Sequence, residues 1–283
     1  MKYLYRLYLI VFALPILAVA TIITSLTTSI GSRWGNAAFW GDRPGRLWSR
    51  TICRVLLIRV RVIGYEQLDK NVSYVFVSNH QGSFDVFLIC GYLGHSFKWM
   101  MKKSLRKVPF VGKACADAGH IFVDRGNPKG VMESIQQAKK TLIGGTSMVV
   151  FAEGARSQSA KMGRFKRGAF QLAYELQLPI VPLTINDSFR ILPRNSRWIH
   201  PYPLTLTIHA PIPPQATEET VIEALETTAT SSLTETPATI TKTETATMSE
   251  TATANRSNAD TNAAKMTQTM DTVHKIIQSA LRP

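Results

Sequence analysis

The chain has 283 residues, 45% of them hydrophobic, and a formal net charge of +14 at pH 7; it is long enough for one full α/β core plus extra segments. Residues 215–270 hold eight acidic and three basic residues, a net −5, so the remainder carries +19, a field suited to lipid head groups, CoA-like or carrier-bound thioesters, or nucleic acid. Cys53, Cys90 and Cys115 lie in apolar surroundings without metal-ligand spacing, which sets aside a cysteine-built metal class and points to reduced core thiols in a cytosolic domain.

Residues 7–32 contain no charge, and 7–23 are apolar enough to cross a bilayer, which takes about 20 residues. A signal peptide would show the same n-region, Lys2 and Arg6, and the same small-residue site, Ala18-Val19-Ala20. The apolar run continues through Ile22, Ile23 and Leu26, which favours a retained anchor. Arg33, Arg43, Arg46 and Arg50 outnumber Lys2 and Arg6, so the bias toward basic residues inside leans to a cytoplasmic C-terminal side. The stretch from Leu47 mixes Arg and Trp with aliphatics and reads either as a helix in the lipid interface or as an ordinary surface helix. Ile58, Val60 and Val62 then alternate with Arg59 and Arg61, the pattern of a strand with one solvated face.

Residues 72–78 read as a buried strand and Val86 onward as a helix. Between them stands Asn79-His80-Gln81-Gly82-Ser83-Phe84-Asp85. On one helix His80 and Asp85 would face different ways. A turn at Gln81-Gly82-Ser83 removes that obstacle, with Gly82 as the permissive residue and Ser83 as N-cap. The Asp85 carboxylate then folds back onto the His80 imidazole. Such a pair is a base with its orienter, able to take a proton from an alcohol. The plainer alternative is a histidine that caps a helix or bonds a carbonyl.

Further on, Phe97-Lys98-Trp99-Met100-Met101 is a short strand and Gly119-His120-Ile121-Phe122-Val123-Asp124-Arg125 another. Pro128 opens a helix with Val131, Ile135, Ala138 and Leu142 at helical spacing, stopped by Gly144-Gly145. Met148-Val149-Val150-Phe151-Ala152 is a buried strand running into Glu153-Gly154-Ala155-Arg156-Ser157. A helix follows through Phe170, Leu172, Ala173 and Leu176, then a strand at 178–183. Pro179 and Pro182 suggest that strand's start or an edge position. Residues 204–210 alternate as a last strand. The alternation of strands and helices predicts an α/β fold, a mixed central sheet flanked by helices with an N-terminal membrane-anchoring helical segment. Residues 215–263, rich in Thr, Ala, Glu and Ser, are expected to be mostly disordered. Residues 264–283 regain apolar spacing and should close on the domain. The expected division is 1–57 anchor and interfacial helix, 58–214 catalytic domain, 215–263 linker and 264–283 closing helix.

Polar groups thus stand at several strand ends, where α/β proteins bind ligands. In order, these blocks resemble those of the glycerolipid acyltransferases, most closely the 1-acylglycerol-3-phosphate acyltransferases. His80 to Asp85 is similar to the H-x4-D block, and Gly119 to Arg125 to G-x-x-F-[IV]-D-R. Phe151 to Ser157 is similar to F-P-E-G-T-R-S, and Ile180-Val181-Pro182-Leu183 to the apolar-V-P-apolar block. The resemblance covers roughly residues 55–213. Ala152 and Ala155 depart from it, replacing a proline and a threonine; the second removes a hydroxyl donor near the phosphate site.

The resemblance implies acyl transfer from acyl-CoA or acyl-carrier protein to the sn-2 hydroxyl of lysophosphatidic acid at a membrane phospholipid surface. His80 and Asp85 would be catalytic. Arg156, Arg125 and Lys102 would meet the acceptor phosphate, with Lys166 a weaker candidate. Glu153 would hold Arg156 or bond a glycerol hydroxyl, and Gly154 would let backbone approach the ligand. No metal and no cofactor beyond the donor are expected, and His120 and Asp124 are not read as ligands. The other readings are a different lysophospholipid head group, or a tethered lipid-binding protein without turnover. A nucleic-acid partner is set aside for lack of any recognition motif.

Overall fold

The computed structural model describes every residue except 1, 125, 143, 158–160, 194, 214–250 and 283, with backbone only for 128, 131 and 251–262. A single long helix, α1 (Lys2–Trp34), opens the chain and contains a π-helical turn at Leu9–Ala13. After a short turn at Ala37–Trp40 comes α2 (Arg43–Val55). The domain then runs β1 (Val60–Ile63), β2 (Val75–Ser78), α3 (Phe84–Tyr92), β3 (Phe97–Lys102), α4 (Val111–Asp117), β4 (Ile121–Val123), α5 (Pro128–Thr141), β5 (Ser147–Phe151), α6 (Gly168–Leu176), β6 (Ile180–Asn186) and β7 (Leu204–Ile208). Helix α7 (Thr251–Ser279) closes it.

The strands form one mixed sheet in the order β1-β7-β6-β2-β5-β3-β4. Every pair is parallel except β6 with β7. Central β2 is buried at every position, as a parallel strand covered on both faces must be. On one face Phe76, Leu88, Ile89 and Leu206 pack with Ile52, Cys53 and Leu56 of the α2 segment and Leu9 and Ala13 of α1. On the other, Val75 and Val77 pack with Phe170 and Ala173 of α6 and Val273, Ile276 and Ile277 of α7. The chain end is tied in twice: Asn186 Nδ2 donates to the Ala280 carbonyl at 3.0 Å, and its Oδ1 accepts from Arg282 N–H at 2.8 Å.

Two expectations are corrected. Pro182 is inside a buried strand between β7 and β2, not at an edge. Its ladder with β7 begins only at Leu183, and the Pro182 carbonyl still accepts from His209 N–H at 3.0 Å, so the missing N–H falls just past the end of β7. The closing helix starts at Thr251 rather than Ala264. The added stretch has few large apolar residues but holds Ala252, Ala254, Ala259 and Ala263, and alanine is the best helix former. The rest of the expected linker, to residue 250, lies outside the described residues.

His209, 3% exposed, meets Thr184 Oγ1 through Nε2 at 2.8 Å and leaves Nδ1 without a partner. Burial pulls this imidazole from 6.5 down to about 4. As pH falls, the unfolded chain therefore takes up the proton first. The contribution is full above about pH 6.5 and is lost progressively toward pH 4, by about 3 kcal/mol. His209→Gln is expected to flatten the dependence of the urea midpoint on pH across that window; parallel profiles for variant and wild type would remove His209 from the acid response.

Candidate active site

The parallel register of β2 with β5 sets Ser78 beside Phe151, so the residues that follow each strand emerge side by side. The turn after β2 carries His80, and the first turn of α3 carries Asp85. Fully buried Asp85 places Oδ2 2.7 Å from His80 Nδ1. The same oxygen accepts from the N–H groups of Gln81 at 2.7 Å and Gly82 at 2.9 Å. A carboxylate accepting from Nδ1–H fixes the tautomer and leaves Nε2 as the basic nitrogen. The imidazole stacks on the Phe151 ring at 3.9 Å and 10°, which restricts its rotation.

The backbone of His80 is gripped on both sides. Its N–H donates to Glu153 Oε1 at 2.7 Å, and its carbonyl accepts from Ser157 N–H at 2.8 Å. Asn79, whose role no sequence pattern flagged, clamps the end of β2 to β6: its amide donates to the Ile185 carbonyl at 2.9 Å and accepts from Ile185 N–H at 2.8 Å.

Several residues stand differently from expectation. Glu153 holds neither Arg156 nor open space. It is 8% exposed, and its second oxygen accepts from Gly163 N–H at 2.8 Å, so the carboxylate braces two backbone segments. Ser83 does not cap α3 with its side chain; its Oγ accepts from Arg156 Nη1 instead. Gly82 is not in the left-handed region, and its need for glycine is space, because a Cβ would lie 2.8 Å from the Ser188 carbonyl oxygen. Gly154 does adopt positive φ, +75°. Arg125 lies outside the described residues.

A cavity of about 710 Å³ opens at His80. Lys102, Gly154 and Arg156 line it, as do Trp99 and Phe151. Its far wall is α1, through Thr21, Thr24, Ser25 and Thr28. Sequence reasoning missed these four, although polar residues recurring at helical spacing in an apolar helix were the available signal. Most of the lining is apolar, with α4 contributing Val111, Ala114 and Cys115. Burial pushes the Cys90 and Cys115 thiols there up to about 11. His120 also lines the cavity. Burial, then the charge of Lys98, pulls it down to about 3. Its Nδ1 accepts from Trp99 N–H at 3.3 Å, while Asp124 pairs with Lys103 at 3.1 Å. Arg156 additionally borders a pocket of about 200 Å³ with Gln81, Ser83 and Ser196. The structure thus gathers His80, Lys102, Gly154 and Arg156 around one opening, with Asp85 buried behind His80. A base with an oriented proton relay, an apolar chamber and a guanidinium at the rim suit an acyl chain, a hydroxyl and an anion held together.

Residues 59–186 match the family described as Acyltransferase. A 1-acyl-sn-glycerol-3-phosphate acyltransferase of Chlamydomonas reinhardtii is 30% identical over 179 residues, 62% of this chain and 53% of that protein. One of Helicobacter pylori is 33% identical over 129 residues, 45% of this chain and 54% of that one. The chain therefore spans about half the length of these relatives. The crystal structure of the 1-acyl-sn-glycerophosphate acyltransferase of Thermotoga maritima shares the fold, with a TM-score of 0.64 and 24% identity, over 80% of this chain and 92% of that one.

Proposed function

We propose that the protein, whose residues 59–186 match the family described as Acyltransferase, transfers a fatty acyl group from acyl-CoA or acyl-carrier protein to the sn-2 hydroxyl of 1-acylglycerol-3-phosphate. The product is phosphatidic acid. The observation that carries this reading is the His80–Asp85 pair, 2.7 Å apart at the mouth of an apolar cavity. His80 Nε2 takes the proton of the acceptor hydroxyl as its oxygen bonds to the thioester carbonyl carbon. Asp85 holds Nδ1–H and stabilises the imidazolium that forms. The carbonyl C–S bond then breaks, and the departing thiolate takes the proton back from Nε2. Arg156, with Lys102 on the same rim and Arg125, would hold the acceptor phosphate, and the acyl chain would occupy the cavity.

Helix α1 is long and apolar enough to cross a membrane. Its contacts with the domain favour a different disposition. Tyr8 Oη donates to the Val55 carbonyl at 2.8 Å, Trp48 Nε1 to Thr21 Oγ1 at 2.9 Å, and Arg33 pairs with Asp117 at 3.2 Å. These contacts run along about 38 Å of helix, more than the roughly 30 Å hydrocarbon core. A helix upright in the bilayer would drag the domain in with it. We infer that α1 lies along one leaflet, on the cytoplasmic face, with Leu7, Ile10, Val19, Ile23 and Ile30 turned to lipid.

The purified full chain, given 1-acylglycerol-3-phosphate and either donor in detergent micelles, is expected to form phosphatidate with release of one thiol per product. Absence of product with both donors, but turnover on another lysophospholipid, would reassign the head group. No turnover on any lysolipid would leave a lipid-binding protein.

A further inference from the structure

Every residue from 102 to 110 is exposed. The segment leaves β3, makes a 3-10 turn over Lys103–Lys107 and enters α4. Leu105, Val108 and Phe110 are large, apolar and 46%, 41% and 56% exposed. They interleave with Lys102, Lys103, Arg106 and Lys107. Lys103 is joined to Asp124 at 3.1 Å, and the Arg106 guanidinium lies over the Phe122 ring at 5.7 Å.

Phe110 is also strained. Its φ is +60° and ψ −55°, and Val111 N–H reaches back to the Pro109 carbonyl at 2.7 Å. This is the three-residue turn that side chains rarely adopt, and such strain persists where surroundings or function demand it. The ring it carries is mostly outside the protein, so packing within this domain does not account for it. Basic residues alternating with exposed apolar ones are the composition that binds an anionic lipid surface.

The loop's place in the fold names the occupant. Leu105, Val108 and Val111 line the same cavity as Thr21, Thr24 and Thr28 of the apolar helix α1. Arg33 of α1 pairs with Asp117 of α4 at 3.2 Å. The loop therefore continues the surface that α1 turns to lipid.

We propose that residues 102–110 are a second membrane contact. Leu105, Val108 and Phe110 enter the lipid of an anionic leaflet, and Arg106 and Lys107 meet its head groups. The contact seats the cavity mouth against the lipid phase. The proposal rests on α1 being membrane-bound and not on the acyl-transfer chemistry.

Hydrogen exchange of the full chain tests it. The protein is reconstituted in vesicles of phosphatidylcholine alone and of phosphatidylcholine mixed with phosphatidylglycerol. Deuterium uptake over 102–110 is expected to slow about tenfold in the anionic vesicles, with the slowing weakened by high salt. Phe110→Asp and Lys107→Glu should each abolish it while α1 stays bound. Equal uptake in both vesicles, or slowing that survives both substitutions, overturns the proposal. So does slowing in lipid-free detergent on adding an acidic acyl-carrier protein, or slowing there that grows with protein concentration; these would assign the loop to the donor or to a second copy. Exchange is readable in an inactive protein, so failure of the acyl-transfer reading would leave this result standing.

Discussion

On the proposed reaction, His80→Ala is expected to lower phosphatidate formation by about 10³–10⁴-fold, in kcat rather than KM. The substitution removes the imidazole proposed to take the acceptor proton, yet the turn around it should survive. Asp85 Oδ2 keeps the N–H groups of Gln81 and Gly82, and the backbone of residue 80 keeps Glu153 and Ser157. The thermal midpoint should therefore move by only a few degrees, about what a change near 1 kcal/mol produces in a domain this size. Asp85→Asn separates orientation from charge. An amide oxygen can still accept from the three donors, but the imidazolium loses its counter-charge, and a loss of about 10²–10⁴-fold follows. More than a tenth of wild-type turnover in a folded His80→Ala protein would end this mechanism.

Replacing Glu153 should damage the fold first and the chemistry second. Its carboxylate is buried and holds two backbone donors, His80 N–H and Gly163 N–H. Glu153→Ala leaves both without an acceptor, at about 1–3 kcal/mol each. The expected loss of stability is about 2–5 kcal/mol, a fall in thermal midpoint of roughly 5–15 °C. Activity should fall through kcat as His80 loses its anchor. Glu153→Gln retains one acceptor oxygen and should lose about half as much stability. The contrasting role, a bond to a glycerol hydroxyl, predicts the opposite split: an unchanged midpoint with a raised KM. Thermal unfolding and steady-state kinetics on the two variants decide between them.

The acid response of His209 and the proposed lipid contact at Phe110 both depend on what surrounds a side chain. Short-range readings fared well where the cause was local. Asp85 reaches His80 because a glycine-containing turn and a helix start lie between them, a matter of seven consecutive residues. The sheet's strands are legible because apolar runs of four to seven residues have to be buried. By contrast, Glu153 looked like a ligand group because it sits beside Arg156 in the chain. Only the parallel pairing of β2 with β5 turns its carboxylate to the His80 backbone. Ser83 is the same case: its neighbours suggest a cap, but Arg156, 73 residues away, takes its hydroxyl.

The sequence by itself determined the α/β alternation, the apolar N-terminal helix and the His80–Asp85 pairing, since each depends on periodicity or on one turn. Tertiary structure decided which wall encloses the cavity, why Gly82 has no room for a Cβ beside Ser188, and that α1 runs lengthwise on the domain. Those properties arise between segments far apart in the chain. Their energies depend on register and close approach across the sheet and helix faces, which no local pattern of residues records.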